Sequence, residues 1–452
     1  MKGNMTTGKP LSMLLRFMLP LFIGNVFQQI YNAVDSMIVG NFVGADALAA
    51  VGSTGTIMFL VNGFSMGLTT GFTVMVAQKF GEGDEEGTRE ATGNGMVLSV
   101  IVIVILTVVF SVFMKPLLTI MHTPDNIFAD AYAYISVICG GLVCMVSYNF
   151  LSSVLRAIGN SRIPLITLIF SACVNVGLDL LFVIGFHMGT AGAAWATVIS
   201  QGMSAVLCAI HIYRKEPVIR PKARHFRLDK RYVPNQIRVG IPMALQFGIT
   251  ASGTMMMQAA CNLFGSVPVS AFAAVGKMNN IVTCEMIAMG QTMATFAGQN
   301  FGARQPRRIR AGVRWAMLVE AIYAMIASLV TYFGMPTYIR LFFSADVNME
   351  PIMEYARVIV LCWSLFYIPL SMIFIFRNAM QGCGFGLLPM LGGVVELIVR
   401  FFLAVAAMRT MEFLLVGLCD PMAWVAAFLW TGGCYLFAIK KVQKIMEKPL
   451  TA

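Results

Sequence analysis

Twelve apolar runs, each about the length a helix needs to cross a bilayer, leave this 452-residue chain few options. A hydrocarbon core ~30 Å thick takes roughly 20 residues of helix. Runs of that size or longer lie at 14–40, 47–78, 91–114, 128–155, 163–186, 190–213, 237–264, 269–300, 311–334, 353–380, 387–408 and 415–439. In lipid every backbone N–H and C=O must find its partner within the protein, so such runs become helices or do not span at all. The fold class is therefore all-α integral membrane. With 58% hydrophobic and 12% charged residues, little of the chain is left to face water.

The net charge of +11 is spent in the short connections. Eight Lys or Arg residues fall between Arg214 and Arg231, four more are Arg304, Arg307, Arg308 and Arg310, Arg156 and Arg162 flank the fourth connection, and Lys440, Lys441 and Lys444 follow the last run. Basic residues on alternate connections face anionic headgroups and mark the cytoplasmic side. That places both termini in the cytoplasm and removes the reason to invoke nucleic acid. Lys2, Lys9 and Arg16 precede a long first run with no processing site of small residues, so the first helix reads as retained.

The two halves repeat. Ala47-Leu48-Ala49-Ala50-Val51-Gly52 recurs as Ala271-Phe272-Ala273-Ala274-Val275-Gly276, Gln78-Lys79-Phe80-Gly81 as Gln299-Asn300-Phe301-Gly302, and Gly159 with Pro164 as Gly384 with Pro389. Six helices per repeat is an even number, so both halves enter the membrane the same way round. The expected organisation is an N-terminal bundle (1–213), a basic cytoplasmic linker (214–236) and a C-terminal bundle (237–452), two parallel six-helix repeats around a central cavity.

Ionisable groups inside such helices cost roughly 2.5–3.5 kcal/mol each at a helix centre, which makes them the first candidates for function. The first helix carries Asn25, Gln28, Asn32 and Asp35 on one face, with Pro20 just before them as a hinge. The fifth carries Ser171, Asn175 and Asp179 at four-residue steps, and the sixth Thr197, Ser200 and Ser204. Should the first and fifth helices meet, Asp35 and Asp179 form a coupled pair able to share a proton or cradle a sodium ion. In the second half Glu396 and Arg400 have the spacing of an intrahelical ion pair. Lys277, Glu285 and Arg377 have no partner by spacing. The run Met255-Met256-Met257 offers flexible, polarizable lining to a pocket for varied apolar shapes, with Met256 as its candidate. The ten cysteines show no C-x-x-C pair and the four histidines no ligand spacing, so neither a metal centre nor a disulfide framework is expected. An H-E-x-x-H motif is also absent, and no enzymatic activity is expected.

Pro20 with Asp35, Asn175 with Asp179, Gln299-Asn300-Phe301-Gly302-Ala303 and the turns Gly159–Pro164 and Gly384–Pro389 together resemble the multidrug and toxic compound extrusion (MATE) family, over essentially the whole chain. Within it the sequence looks closest to the DinF-like bacterial branch, because Ala244 to Met257 contains no acidic residue. The resemblance implies a monomeric antiporter of the inner (plasma) membrane, in contact with lipid. Such a protein needs no cofactor and exports drug-like, often cationic compounds against inward H⁺ or Na⁺. Carried over, the coupling acids are Asp35 and Asp179, with Gln28, Asn149, Asn175 and Thr197 around them. Relatives that flip lipid-linked saccharides share the bundle but line it with basic residues. Asp35 speaks against that reading, while Lys277 and Arg377 keep it open.

Overall fold

The computed structural model describes residues 3–120, 123–341, 343 and 348–447. His122 and the residues at each end of the chain lie outside that set. Every regular element among the described residues is helical. In order they are α1 (Pro10–Phe42), α2 (Ala45–Ser53), α3 (Gly55–Glu82), α4 (Glu85–Ile120), α5 (Asp125–Gly140), α6 (Leu142–Ala157), α7 (Arg162–Asp179), α8 (Gly189–Lys215), α9 (Val233–Asn262), α10 (Ser266–Gly302), α11 (Pro306–Arg340), α12 (Met349–Leu365), α13 (Tyr367–Gly382), α14 (Leu387–Thr410) and α15 (Phe413–Glu447).

Among the described residues, eight helices are long and apolar enough to span alone, and two further spans are bent pairs, α5 with α6 at 49° and α12 with α13 at 48°. The remaining two expected spans are α9 and α10, of 30 and 37 residues. They are long enough to cross but more polar, with Thr250, Ser252, Thr254 and Gln258 on α9 and Lys277, Asn279, Asn280 and Glu285 on α10. Two runs expected as continuous helices thus break at Gly141 and Phe366, and the run at 47–78 breaks at Thr54, between α2 and α3. The run at 163–186 changes pitch, its α-helix giving way after Asp179 to a π-helical turn, Leu180–Gly185.

The repeat is written into the turns. Gly44 and Gly265 (φ 125° and 96°), Gly83 and Arg304 (82° and 54°), Gly159 and Gly384 (82° and 87°), and His187 and Met411 (52° and 55°) all take positive φ at matching places in the two halves. Glycine adopts this left-handed conformation without a Cβ penalty, which is why it closes most of these helices. Each half therefore runs through the same order of helices and turns, the six-helix repeat expected from the sequence.

By packing, the chain divides into two units, Met1–Asn4 with Leu19–Ala244, and Met5–Met18 with Leu245–Ala452. The division falls inside α1 and α9, not in the linker. In the first unit α9 approaches α3 closely because a Cβ on Gly71 would strike the backbone of Gly240, and one on Gly67 the backbone of Ala244. Small residues at helix contacts are the means by which membrane helices gain packing without a hydrophobic drive. Gln236 seals the same junction, donating Nε2 to Phe72 O at 3.0 Å and Ala91 O at 2.8 Å. The core of the second unit is aromatic, with Trp363 edge-on to Phe272 at 5.8 Å and near Trp424 at 6.2 Å between ring centroids.

Candidate functional site

Asp179 closes α7 at the point where the helix widens into its π-turn, and it is fully buried. Such widened turns in helices occur frequently at functional sites. One turn earlier lies Asn175, also buried, and a turn before that Ser171. Asp35 sits on α1, half-buried, with its carboxyl within hydrogen-bonding reach of Asp179. The structure thus places the two acids side by side.

What the polar atoms of this cluster lack is partners. Both carboxyl oxygens of Asp179, Oδ1 of Asp35, and both Oδ1 and Nδ2 of Asn175 are buried with no hydrogen-bond partner among the described residues. A buried polar group left unpaired costs about 1–3 kcal/mol, more when it carries charge. Two carboxyls facing each other can be bridged by one cation or one shared proton, and the Asn175 side-chain carbonyl, a turn before Asp179, offers a neutral oxygen. Beside them a cavity of ≈ 50 Å³ is lined by Gln28, Tyr31, Asn62, Tyr148, Asn149, Ser171, Asn175, Ser200 and Gln201, among others. A space of that size admits water or a small ion, since a single water needs only about 10–15 Å³.

The remaining residues singled out by sequence fall in several places. Gln28 and Asn149 line the cavity with Asn175. Asn32 is exposed on α1, and Thr197 turns its hydroxyl back to Ala193 O at 3.1 Å, so neither lines it. Met256 is half-buried on α9 and Lys277 exposed on α10. Pro20 lies within α1, which continues through it. Tyr31, which sequence reading passed over, points its hydroxyl toward Gln28 and Gln201. It sits three residues after Gln28 and four before Asp35, so the same helical stripe pointed to it.

In the second unit the charged groups form a ladder across three helices. Arg377 on α13 meets Glu396 on α14 at 2.7 Å, Glu396 meets Arg400 at 3.4 Å, and Arg400 Nε donates to Asp420 on α15 at 2.8 Å. The expected Glu396–Arg400 pair is present, but as the longest of three links. Arg377, partnerless by spacing, finds its partner 19 residues away, and the ladder is neutral overall. Glu285 on α10 faces Glu320 on α11 within hydrogen-bonding reach. There too Oε2 of Glu285 and both oxygens of Glu320 have no partner among the described residues. Glu320 and Asp420 were missed by sequence reading, although an acid inside an apolar run is signal enough.

The MatE family model matches residues 20–181 and 242–406 of the chain. Among curated relatives, the probable multidrug resistance protein YpnP of Bacillus subtilis (strain 168) is 30% identical over 306 residues, 68% of each chain. A second from the same organism, the probable multidrug resistance protein YoeA, is 26% identical over 439 residues, 94% of each chain. A solved structure described as MATE in the bent conformation matches with a TM-score of 0.91 at 19% identity, covering 99% of this chain and 100% of that one.

Proposed function

Because the chain belongs to the MATE family of multi-pass membrane transporters, we propose that it exports drug-like organic compounds, often cationic, across the cytoplasmic membrane in exchange for inward H⁺ or Na⁺. The observation that carries this reading is the donor-poor set of Asp35, Asp179 and Asn175 beside a small polar cavity. The names of the two Bacillus relatives support the substrate class.

A carrier moves substrate uphill only if ion and substrate bias the same conformational equilibrium in opposite directions. A carboxylate pair does this by charge. With the pair empty, its negative charge favours a cationic drug; a proton or sodium ion between the acids takes away one unit of that charge, weakens the hold on the drug and favours its release. Asn175 serves as a neutral ligand to a sodium ion, and Gln28 and Asn149 as hydrogen-bonding contacts to the drug. Pro20 supplies the give in α1, because a proline inside a helix removes one backbone hydrogen bond. One charge moving inward gains about 2.3 kcal/mol per 100 mV, roughly fifty-fold in drug ratio for a neutral substrate. The basic linker and both termini then face the cytoplasm. The lipid-linked saccharide reading loses support, since Arg377 is neutralised by Glu396.

The test is drug efflux from proteoliposomes with proton and sodium gradients imposed separately. Wild type is expected to respond to at least one gradient, and Asp35→Asn to neither, while folding as well as wild type. Full gradient-driven efflux by Asp35→Asn would remove the pair from the mechanism.

A further inference from the structure

A slot of ≈ 660 Å³ runs along α15 where it packs with α11 and α13. Its floor is aromatic, Phe376 stacking on Phe428 and Tyr435 with ring centroids 6.2 and 5.2 Å apart. Its width comes from two glycines. A Cβ on Gly432 would already touch Phe376 at 3.6 Å, whereas one on Gly433 would meet nothing within 4 Å, so any side chain at 433 would project into open space beside the slot it lines. The rim is Leu429 and Leu436, both exposed on an apolar spanning helix and therefore facing hydrocarbon.

One end of the slot is basic. Arg310 and Arg314 stand one turn apart on α11, opposite Lys440 on α15, and no carboxylate is among the lining residues. Arg310 is held by Gln443 Oε1 at 2.6 Å. Arg314 and Lys440 are exposed, and neither makes a hydrogen bond or ion pair with a described residue. From Lys440 to Phe428 is twelve residues, about 18 Å of helix at 1.5 Å per residue. That is close to half of a ~30 Å hydrocarbon core, the depth of one leaflet. The slot therefore has the length of one acyl chain, with cations where the phosphate of its headgroup would lie. Arg304, Arg307 and Arg308 adjoin the same end, which the positive-inside rule assigns to the cytoplasmic leaflet.

We propose that this slot is a binding site for one anionic phospholipid of the cytoplasmic leaflet, with an acyl chain laid over Phe376 and Gly433 and the headgroup phosphate on Arg314 and Lys440. Basic pockets between membrane helices on this side suit anionic headgroups, and each basic side chain near the surface contributes about fivefold to binding. The site is independent of transport and is tested without it.

Purified protein in mild detergent is titrated with phosphatidylglycerol or with phosphatidylcholine of the same acyl chains, and retained lipid is counted by native mass spectrometry alongside the thermal midpoint. Wild type is expected to retain one phosphatidylglycerol with a raised midpoint and to prefer it over phosphatidylcholine. The exposed double variant Arg314→Gln/Lys440→Gln should fold normally and lose about 25-fold of that preference, the product of two fivefold contributions. Gly433→Leu should expel the lipid with every charge in place. Equal retention of the two lipids by wild type overturns the proposal. So does phosphatidylglycerol retention that survives Gly433→Leu, which would mean headgroup adsorption alone, or full displacement by inorganic phosphate, which would mean a free-anion site.

Discussion

Gln299 accepts the backbone N–H of Met5 at 2.8 Å, and the next residue, Asn300, donates Nδ2 to Met5 O at 3.2 Å. Arg308 completes the clasp with hydrogen bonds to the carbonyls of Met5, Thr7 and Gly8. The Q-N-F-G-A segment, one of the marks of the family resemblance, thus holds the segment that leads into α1. Gln299→Ala leaves a buried N–H unpaired, a loss of about 1–3 kcal/mol. The expected result is a lower thermal midpoint together with faster hydrogen exchange at Met5. Unchanged exchange at that amide would make the contact incidental.

The ladder of Arg377, Glu396, Arg400 and Asp420 predicts a pattern that isolated pairs would not. Breaking a buried ion pair by removing one partner typically costs about 3–5 kcal/mol, because the other charge is stranded. Asp420→Asn leaves Arg400 only its longer link to Glu396, which Arg377 already shares, and is expected to lower stability by up to that order. Glu396→Gln takes away the carboxylate that both arginines share and should cost at least as much. Adding Arg377→Gln to Glu396→Gln removes the stranded cation and should recover part of the loss. Thermal unfolding of the three variants in detergent decides this. A double variant no more stable than Glu396→Gln alone would mean that Arg377 is satisfied elsewhere.

These links show where sequence reading stops. Asp35, Asp179 and Asn175 were legible because three- and four-residue steps stack side chains on one helical face. The repeat was legible because matching stretches of helix, and the Gly159–Pro164 and Gly384–Pro389 turns, keep the same residues in both halves. The partners of Arg377 and Arg400 were not, since Glu396 and Asp420 lie 19 and 20 residues away on other helices, and periodicity carries no information about which helices touch. The breaks at Gly141 and Phe366 escaped notice because both segments flanking each break are apolar. The π-turn after Asp179 escaped too, its Leu-Leu-Phe-Val-Ile-Gly sequence being unremarkable for a membrane helix.

Glu285 and Glu320 form a second donor-poor acid pair. Tyr323, a turn beyond Glu320, donates its hydroxyl to Val282 O at 2.8 Å and so cannot give that proton to the acids. Replacing Glu320 by Gln puts an amide donor opposite Glu285. That variant should be as stable as wild type or more so, because the hydrogen bond it allows contributes about 0.5–1.5 kcal/mol. Glu320→Leu, lacking a donor, should not gain. A thermal midpoint that falls for Gln as much as for Leu would show that the pair already has a partner, such as a bound cation.

The linker between the halves makes a prediction about pH. Asp229 donates its backbone N–H to Asn94 Oδ1 at 2.7 Å, which ties the chain to α4. Its carboxylate accepts the Arg231 backbone N–H at 2.8 Å and the guanidinium at 2.6 Å. These bonds to Arg231 hold the carboxyl below its ordinary value of 3.8. A depressed value in the folded state means that the stabilisation is complete above the ordinary value and fades only as pH falls through the lower one. A few residues earlier, the Lys222 N–H donates to Nδ1 of His225 at 3.0 Å, and Nε2 of the same ring lies 2.8 Å from Glu86 Oε1. Gly93 makes room for this seat, since a Cβ there would collide with His225 O. An environment-sensitive fluorophore at Lys230 should therefore report an unchanged linker from pH 7 to 5 and a loosened one only in strong acid. Asp229→Asn should lose that acid transition, while Gly93→Ala should shift the signal at every pH. A wild-type transition centred between pH 5 and 7 would mean that some other group, and not Asp229, governs the attachment.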